Sequence, residues 1–165
     1  MNIIIIGRVA EDGILELFEN NREKIVSRYS KRYISEGLAG LEAEFGDDKC
    51  MRILNAAGPD VFVVGRQGIF SALYKLGGTC NTGLRVQLRE IPIRQFCIEI
   101  ADMCDVNPYR ISSLGCVLAC CADGARLAGE LDGAGFKSTV IGYTTDDKAR
   151  CAITGARLQY ITPED

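Results

Sequence analysis

Residues 2–6 of this chain read Asn2-Ile3-Ile4-Ile5-Ile6, four isoleucines in succession. A continuous β-branched run with no polar position inside it reads as a buried strand. Gly7-Arg8 ends the run, which has no basic leader and no small-residue cleavage site, so it is not a signal peptide. No apolar stretch approaches the roughly 20 residues that a bilayer span needs. The expectation is a soluble, cytoplasmic protein.

The rest of the chain alternates between helical and extended patterns. Asp12 is placed to cap a helix starting at Gly13, with Ile14, Leu17, Phe18, Ile25 and Tyr29 on its apolar face and an interruption around Asn21 and Arg22. A second helical stretch covers 31–57, broken near Gly46-Asp47 because glycine disfavours a helix interior. Residues 61–64 follow as a strand. Gly65-Arg66-Gln67-Gly68 then turns into a helix carrying Ile69, Leu73 and Leu76, which Gly77-Gly78 should stop. From Gly83, Leu84, Val86 and Leu88 alternate with Arg85, Gln87 and Arg89, the period of a half-buried strand. A helix over 94–104 and a long apolar strand over 111–122 come next, and Asp123 is placed to cap a helix over 124–134. Strands at 138–145, 148–154 and 156–161 complete the pattern. No internal repeat and no long linker divides the chain, so its 165 residues read as one domain.

Charge and residue types narrow the chemistry. Nineteen Lys and Arg oppose 22 Asp and Glu for a net charge of −3, which leaves no global field to recruit nucleic acid or an anionic membrane. The chain contains no histidine. That removes the commonest general base and metal ligand together, and excludes a Ser-His-Asp or Cys-His mechanism within this polypeptide.

Eight cysteines in a chain of this kind read as reduced thiols. Cys97, Cys104, Cys116, Cys120 and Cys121 fall close together, which raises a metal or redox site as an alternative to core packing. On a 94–104 helix, Cys97 and Cys104 share a face with Ile100, where a small hydrophobe belongs. On a 111–122 strand, Cys116 and Cys120 would lie roughly 13 Å apart, too far to ligate one ion. Cys120 and Cys121 would point to opposite faces, and no C-x-x-C pair exists. Core packing is favoured and a resident metal is not expected.

Two glycine-containing loops lie between a strand and a helix. In Gly7-Arg8-Val9-Ala10-Glu11-Asp12-Gly13 the spacing fits neither G-x-G-x-x-G nor a Walker A loop, and Glu11 and Asp12 would repel an anion; a plain turn is favoured. Gly65, Arg66, Gln67 and Gly68 combine two glycines, a guanidinium and a helix N-terminus, features that favour a phosphate-like ligand. A tight turn with an exposed Arg66 explains the same residues. Ser112, Ser113 and Gly115 are further candidates, with hydroxyl donors at the start of the long strand.

The second half carries a recognisable order of motifs. Leu88-Arg89-Glu90-Ile91-Pro92-Ile93 leads into a helix, and Asp105-Val106-Asn107-Pro108-Tyr109 follows. Ile111-Ser112-Ser113-Leu114-Gly115-Cys116-Val117-Leu118 comes next, then an Asp-initiated helix and Gly135-Phe136 through Val140-Ile141-Gly142-Tyr143-Thr144. This order resembles the C-terminal domain of the aminoimidazole-ribonucleotide (AIR) synthetase superfamily, nearest to its hydrogenase-maturation dehydratase branch. Selenophosphate synthetase and thiamine-monophosphate kinase are more distant members. The segment from Ile3 to Gly13 is similar to the opening of that domain, while residues 20–57 match only loosely.

The resemblance implies an α+β fold: a mixed or antiparallel sheet, partly ferredoxin-like in topology, packed by helices. In such enzymes this domain follows an N-terminal half that holds the Mg-binding aspartates and most of the ATP site and drives dimerisation; none of that half is expected here. The family's loop reads His-Asp-x-Thr-x-Gly-Gly, whereas this chain has Phe62-Val63-Val64-Gly65-Arg66-Gln67-Gly68, keeping only the last Gly. Where relatives have Asn-Glu-Gly, it has Ser113-Leu114-Gly115. The dehydratase's reactive terminal cysteine has no counterpart in Ile161-Thr162-Pro163-Glu164-Asp165, so carbamoyl transfer is unsupported.

The expectation is therefore a stand-alone, degenerate C-terminal module without catalysis or an intrinsic ATP–Mg site, serving ligand binding, assembly or regulation. One alternative is half of a split ATP-dependent enzyme completed by a separately encoded ATP-binding partner. Another is a cysteine-based metal or redox sensor. Self-association into a homodimer would cover surface that the absent half leaves bare.

Overall fold

In the computed structural model, which describes residues 1–42 and 45–163, the isoleucine run forms β1 (Asn2–Ile6) inside the sheet. Ile3 and Ile5 enter one apolar layer, Ile4 and Ile6 another, and all four are fully buried. The run has no polar alternation because helices cover both of its faces.

Helices α1 (Glu11–Asn20), α2 (Arg22–Arg28), α3 (Lys31–Ala39) and α4 (Asp48–Ala57) follow, then β2 (Asp60–Val63) and α5 (Gly68–Cys80). Strand β3 (Gly83–Gln87) passes through a single 3-10 turn, Leu88–Glu90, to α6 (Gln95–Met103). The chain closes with β4 (Val117–Cys121), α7 (Gly124–Gly133), β5 (Ser138–Thr145), β6 (Arg150–Thr154) and β7 (Arg157–Tyr160). The sheet order is β2-β4-β1-β5-β3-β6-β7, with every pairing antiparallel except β3–β6. Ile14, Phe18, Ile69, Leu73, Leu76, Phe96 and Ile100 pack over one face; Cys50 and Leu54 of α4 with Leu127 and Leu131 of α7 pack over the other. Each of these Ile, Leu and Phe side chains contributes about 1.5–3 kcal/mol through burial. The outcome is the expected α+β domain with a mixed sheet. Among the described residues no helix is long and apolar enough to cross a membrane.

Several boundaries differ from the sequence reading, each for a tertiary reason. Helix α1 starts at Glu11, with Ala10 in the left-handed region (φ 69°) as an N-cap that makes no side-chain bond. Asp12 caps nothing: its carboxylate accepts from the Ser112 hydroxyl and, at 3.0 Å, from the Leu114 N–H. Gly77-Gly78 does not stop α5, because Gly77 is there for packing: a Cβ would lie 2.7 Å from Arg150 Nε. The helix ends at Cys80, with Asn81 left-handed at φ 54°.

The 111–122 strand contracts to Val117–Cys121. Its first residues bond to other loops instead of a ladder: the Ser112 carbonyl accepts from Gly13 N–H at 3.1 Å, and Ser113 N–H donates to the Gly65 carbonyl at 3.2 Å. The 31–57 stretch separates into α3 and α4, each with its own cap: Ser30 accepts from Tyr33 N–H at 3.1 Å and Asp47 from Cys50 N–H at 2.9 Å. Residues 43 and 44 of that stretch, and Glu164-Asp165 of the cysteine-free tail, lie outside the described residues.

Candidate functional site

Strand β2 delivers the chain to the Gly65-Arg66-Gln67-Gly68 turn, where the Val64 N–H still donates to the Cys116 carbonyl at 3.1 Å. Gly68 has φ +85°, and a Cβ there would lie 2.5 Å from the Tyr109 carbonyl oxygen, so only glycine fits. Its N–H donates to the Gly65 carbonyl at 3.2 Å and closes the turn. Phe70 N–H donates to the Tyr109 carbonyl at 3.1 Å, which fixes the start of α5 against the 105–111 loop. Arg66 and Gln67 stand exposed on the rim.

Beside this turn lies a cleft of about 330 Å³, whose polar lining comes from Arg66, Gln67, Ser71 and Lys75. The Gln67 side-chain oxygen accepts from Ser71 Oγ at 3.3 Å and from Lys75 Nζ at 3.5 Å. Both charged lining residues are cationic, and among the described residues no carboxylate lines the cleft. A helix N-terminus, two cations and open space over Gly65 favour an anion here. Arg66 also borders a second groove of about 400 Å³ lined by Glu16, Asn20, Arg110 and Ser112.

The structure brings Ser112, Ser113 and Gly115 against the same turn, with their polar groups committed to the protein. Ser113 Oγ accepts from the Ala10 N–H at 2.7 Å in a buried position, and Ser112 donates to Asp12. The Gly115 carbonyl accepts from Phe45 and Gly46 N–H at 3.3 and 3.2 Å. Gly65, Arg66, Gln67 and Gly68 line the cleft; Ser112 reaches only the adjoining groove; Ser113 and Gly115 hold the loops together.

Lys75 and Arg110 escaped the sequence reading. For Lys75 a signal existed, since it lies one helical turn beyond Ser71 on the same face. Arg110 had none: its guanidinium sits 5.4 Å from the Phe70 ring and donates to Thr162, partners set by tertiary folding alone.

A buried ionic cluster also lay hidden in the first glycine loop. Glu11 is 1% exposed, with Arg8 at 2.8 Å, Arg94 at 3.8 Å and the Cys97 thiol donating at 3.4 Å. Burial raises its carboxyl above the ordinary glutamate range, a shift that Arg8, the Cys97 hydrogen bond and Arg94 oppose. Arg8 and Arg94 also donate to the Gly40 and Gly37 carbonyls at 3.2 and 2.9 Å, tying the end of α3 to the turn after β1 and to the start of α6.

Burial likewise pushes the Cys97 thiol up to about 12, with Glu11 adding to the effect. Cys116, whose thiol donates to the Arg8 carbonyl at 2.9 Å, is pushed up to about 12 by burial and then by Asp12 and Glu11. Cys116 precedes β4 rather than sharing a strand face with Cys120, so the expected spacing along one strand does not apply. Cys120 is pushed up to about 11, mainly by burial. Such thiols are neutral donors at physiological pH, whereas a nucleophile or metal ligand must be a thiolate. Among the described residues no group of three or more Cys, Asp or Glu is placed to hold a metal ion.

No family model and no curated protein matches the sequence. Solved structures do. HypE of E. coli, a hydrogenase maturation protein, superposes with a TM-score of 0.76 over 99% of this chain and 50% of its own, at 11% identity. The HypE–HypF complex gives a TM-score of 0.75 over 99% of this chain and 52% of the matched one, at 12% identity. Thiamine-monophosphate kinase from Stenotrophomonas maltophilia gives 0.65 over 88% and 47%, at 16% identity. The chain thus spans about half the length of these proteins, and at such identities the likeness is one of fold. Among the described residues seven helices surround a seven-stranded mixed sheet, and with the match running over nearly its whole length the chain has the fold of the AIR-synthase-like C-terminal domains.

Proposed function

We propose that this chain is a non-catalytic AIR-synthase-like module that binds an anionic, phosphate-bearing ligand at the Gly65-Arg66-Gln67-Gly68 turn and works as a ligand-responsive or assembly subunit. One observation carries the reading: the charges lining the cleft, Arg66 and Lys75, are both positive, and among the described residues no carboxylate or imidazole lines it. Such a lining attracts a phosphate, but its oxygens are the neutral ones of Gln67 and Ser71, so it offers Mg²⁺ no carboxylate and has no carboxylate or imidazole to move a proton. The Ser112 and Ser113 hydroxyls, held inside the protein, support ligand binding indirectly by fixing the turn.

A thermal-shift screen with nucleotides, phosphosugars and divalent ions tests it. A phosphate ligand at a hundred times its Kd should add about 2.7 kcal/mol, or about 5–10 °C for a chain of this size. The doubly substituted Arg66→Ala/Lys75→Ala protein should lose that shift and keep its unliganded midpoint. ATP hydrolysis or phosphoryl transfer by the pure chain would refute the non-catalytic reading.

A second reading, half of an ATP-dependent enzyme completed by another polypeptide, draws on the coverage of only about half of HypE. It requires that a separately made ATP-binding chain co-purify with this one and that the pair turn over ATP where neither does alone. The raised thiols count against the cysteine-sensor alternative.

A further inference from the structure

Strand β7 ends the sheet, and among the described residues it pairs only with β6. Its four residues are all exposed, Leu158 at 49% and Tyr160 at 66%. The orientation of its backbone follows from one bond. Ile161 N–H donates to the Arg150 carbonyl at 2.8 Å, so Ile161 turns its polar groups toward β6. In an antiparallel ladder that orientation alternates, so Gln159 and Arg157 also bond inward. Leu158 and Tyr160 are left presenting N–H and C=O outward, away from the sheet.

The side chains of Leu158 and Tyr160 share one face. Tyr160 stands opposite Cys151, which stands opposite Arg85, which stands opposite Tyr143, while Leu158 stands opposite Ile153. Helices α4 and α7 cover this face over β2, β4, β1 and part of β5, where Val140 packs, while Tyr143 of β5 remains 48% exposed. Beyond that cover Cys151 is still buried and Arg85, paired with Asp147, separates it from Tyr143, so the apolar side chains that reach the edge are Ile153, Leu158 and Tyr160.

We propose that β7 pairs antiparallel with β7 of a second copy of this chain, about a twofold axis beside Gln159, to form a continuous sheet across a homodimer. The strand is self-complementary in one register. With Leu158 opposite the second copy's Tyr160, and Tyr160 opposite its Leu158, all four outward N–H groups and carbonyls per copy find partners. Shifting by one pair in either direction leaves half of them unmet. In the matched register Gln159 faces its own copy on the other side of the sheet. Arg157, the strand's only charge, faces Ile161, so no like charges meet. The two Leu–Tyr pairs join the Ile153, Leu158 and Tyr160 side chains of both copies into one apolar patch, which a monomer would leave in water. This interface lies on a different part of the sheet from the anion cleft and does not depend on it.

Light scattering across about 1–100 µM protein decides the matter, since self-association must respond to concentration. The expected result is a mass approaching twice 18.0 kDa. Leu158→Pro removes only an outward N–H and should weaken the dimer at least about tenfold while leaving the circular dichroism of the monomer unchanged. Should that variant fail to fold, Leu158→Lys and Tyr160→Glu give the same test from the side chains: each alone should weaken association, and the two together should restore it through a cross-strand ion pair. Gln159→Cys should form an intermolecular disulfide that the wild-type chain lacks, because the two Gln159 Cα atoms would approach about 4.5 Å. A wild-type chain that stays monomeric at the top concentration overturns the proposal. So does a dimer indifferent to these changes, or one that Gln159→Cys cannot cross-link.

Discussion

Glu11 concentrates the residue-scale physics of this protein. Its carboxylate leaves water almost completely, and only Arg8, Arg94 and the Cys97 thiol compensate. Burial wins, and its native pKa lies above that of an unfolded glutamate. The folded state therefore binds this proton more tightly than the unfolded state does. That contribution to stability is complete below the ordinary glutamate range and is lost as pH rises through the raised native value. Glu11→Gln keeps the shape and abolishes the titration. Denaturant unfolding at a series of pH values between about 4 and 7 should show a shallower fall in stability for the variant than for the wild type. An unchanged slope would mean that Glu11 titrates as it does in the unfolded chain.

Single elements are held by local signals where the chain is free to obey them. Asp123 was legible as an N-cap, and its side chain accepts from the Arg126 N–H at 3.1 Å. Asp123→Ala should cost about 1 kcal/mol, read as a lower midpoint in chemical denaturation with an unchanged slope. Asp12 carried the same local signal and caps nothing, because Ser112 and Leu114 from a distant loop claim its carboxylate. The 111–122 segment tells the same story. Its apolar residues have strand propensity throughout, yet residues 112–115 lose their ladder to partners at Gly13 and Gly65. Propensity is local, and a competing hydrogen bond from a hundred residues away is invisible to it.

At the scale of the whole molecule, the cysteines report on packing. Cys50, Cys97, Cys116, Cys120 and Cys151 are buried, while Cys80, Cys104 and Cys121 are half-buried. An aromatic disulfide reagent at mildly alkaline pH should reach at most the latter three in the native protein. The five buried thiols should react only as fast as the chain unfolds, accelerating in denaturant. Fast native reaction of Cys97 or Cys116 would show that the layer between α6 and the sheet opens locally. The same layered packing makes the candidate cleft: α5 must lie against the 105–111 loop before Arg66 and Lys75 can share one opening.

The amino-acid sequence alone determined the buried strand β1 and the loop that lines the cleft, whereas the α+β plan was legible through the order of motifs that resembles a known family. Four adjacent isoleucines can be buried only in a strand covered on both faces, and two glycines around Arg66 and Gln67 can hardly be anything but a turn. These are short-range consequences of side-chain shape and backbone freedom. The tertiary structure alone decided which polar groups remain available. It turned Ser113 and Asp12 inward and buried Glu11 between two arginines. Among the described residues it also left the outer side of β7 open. A hydrogen bond needs both partners in place, and for most of these groups the partner lies far along the chain, where no local pattern can announce it.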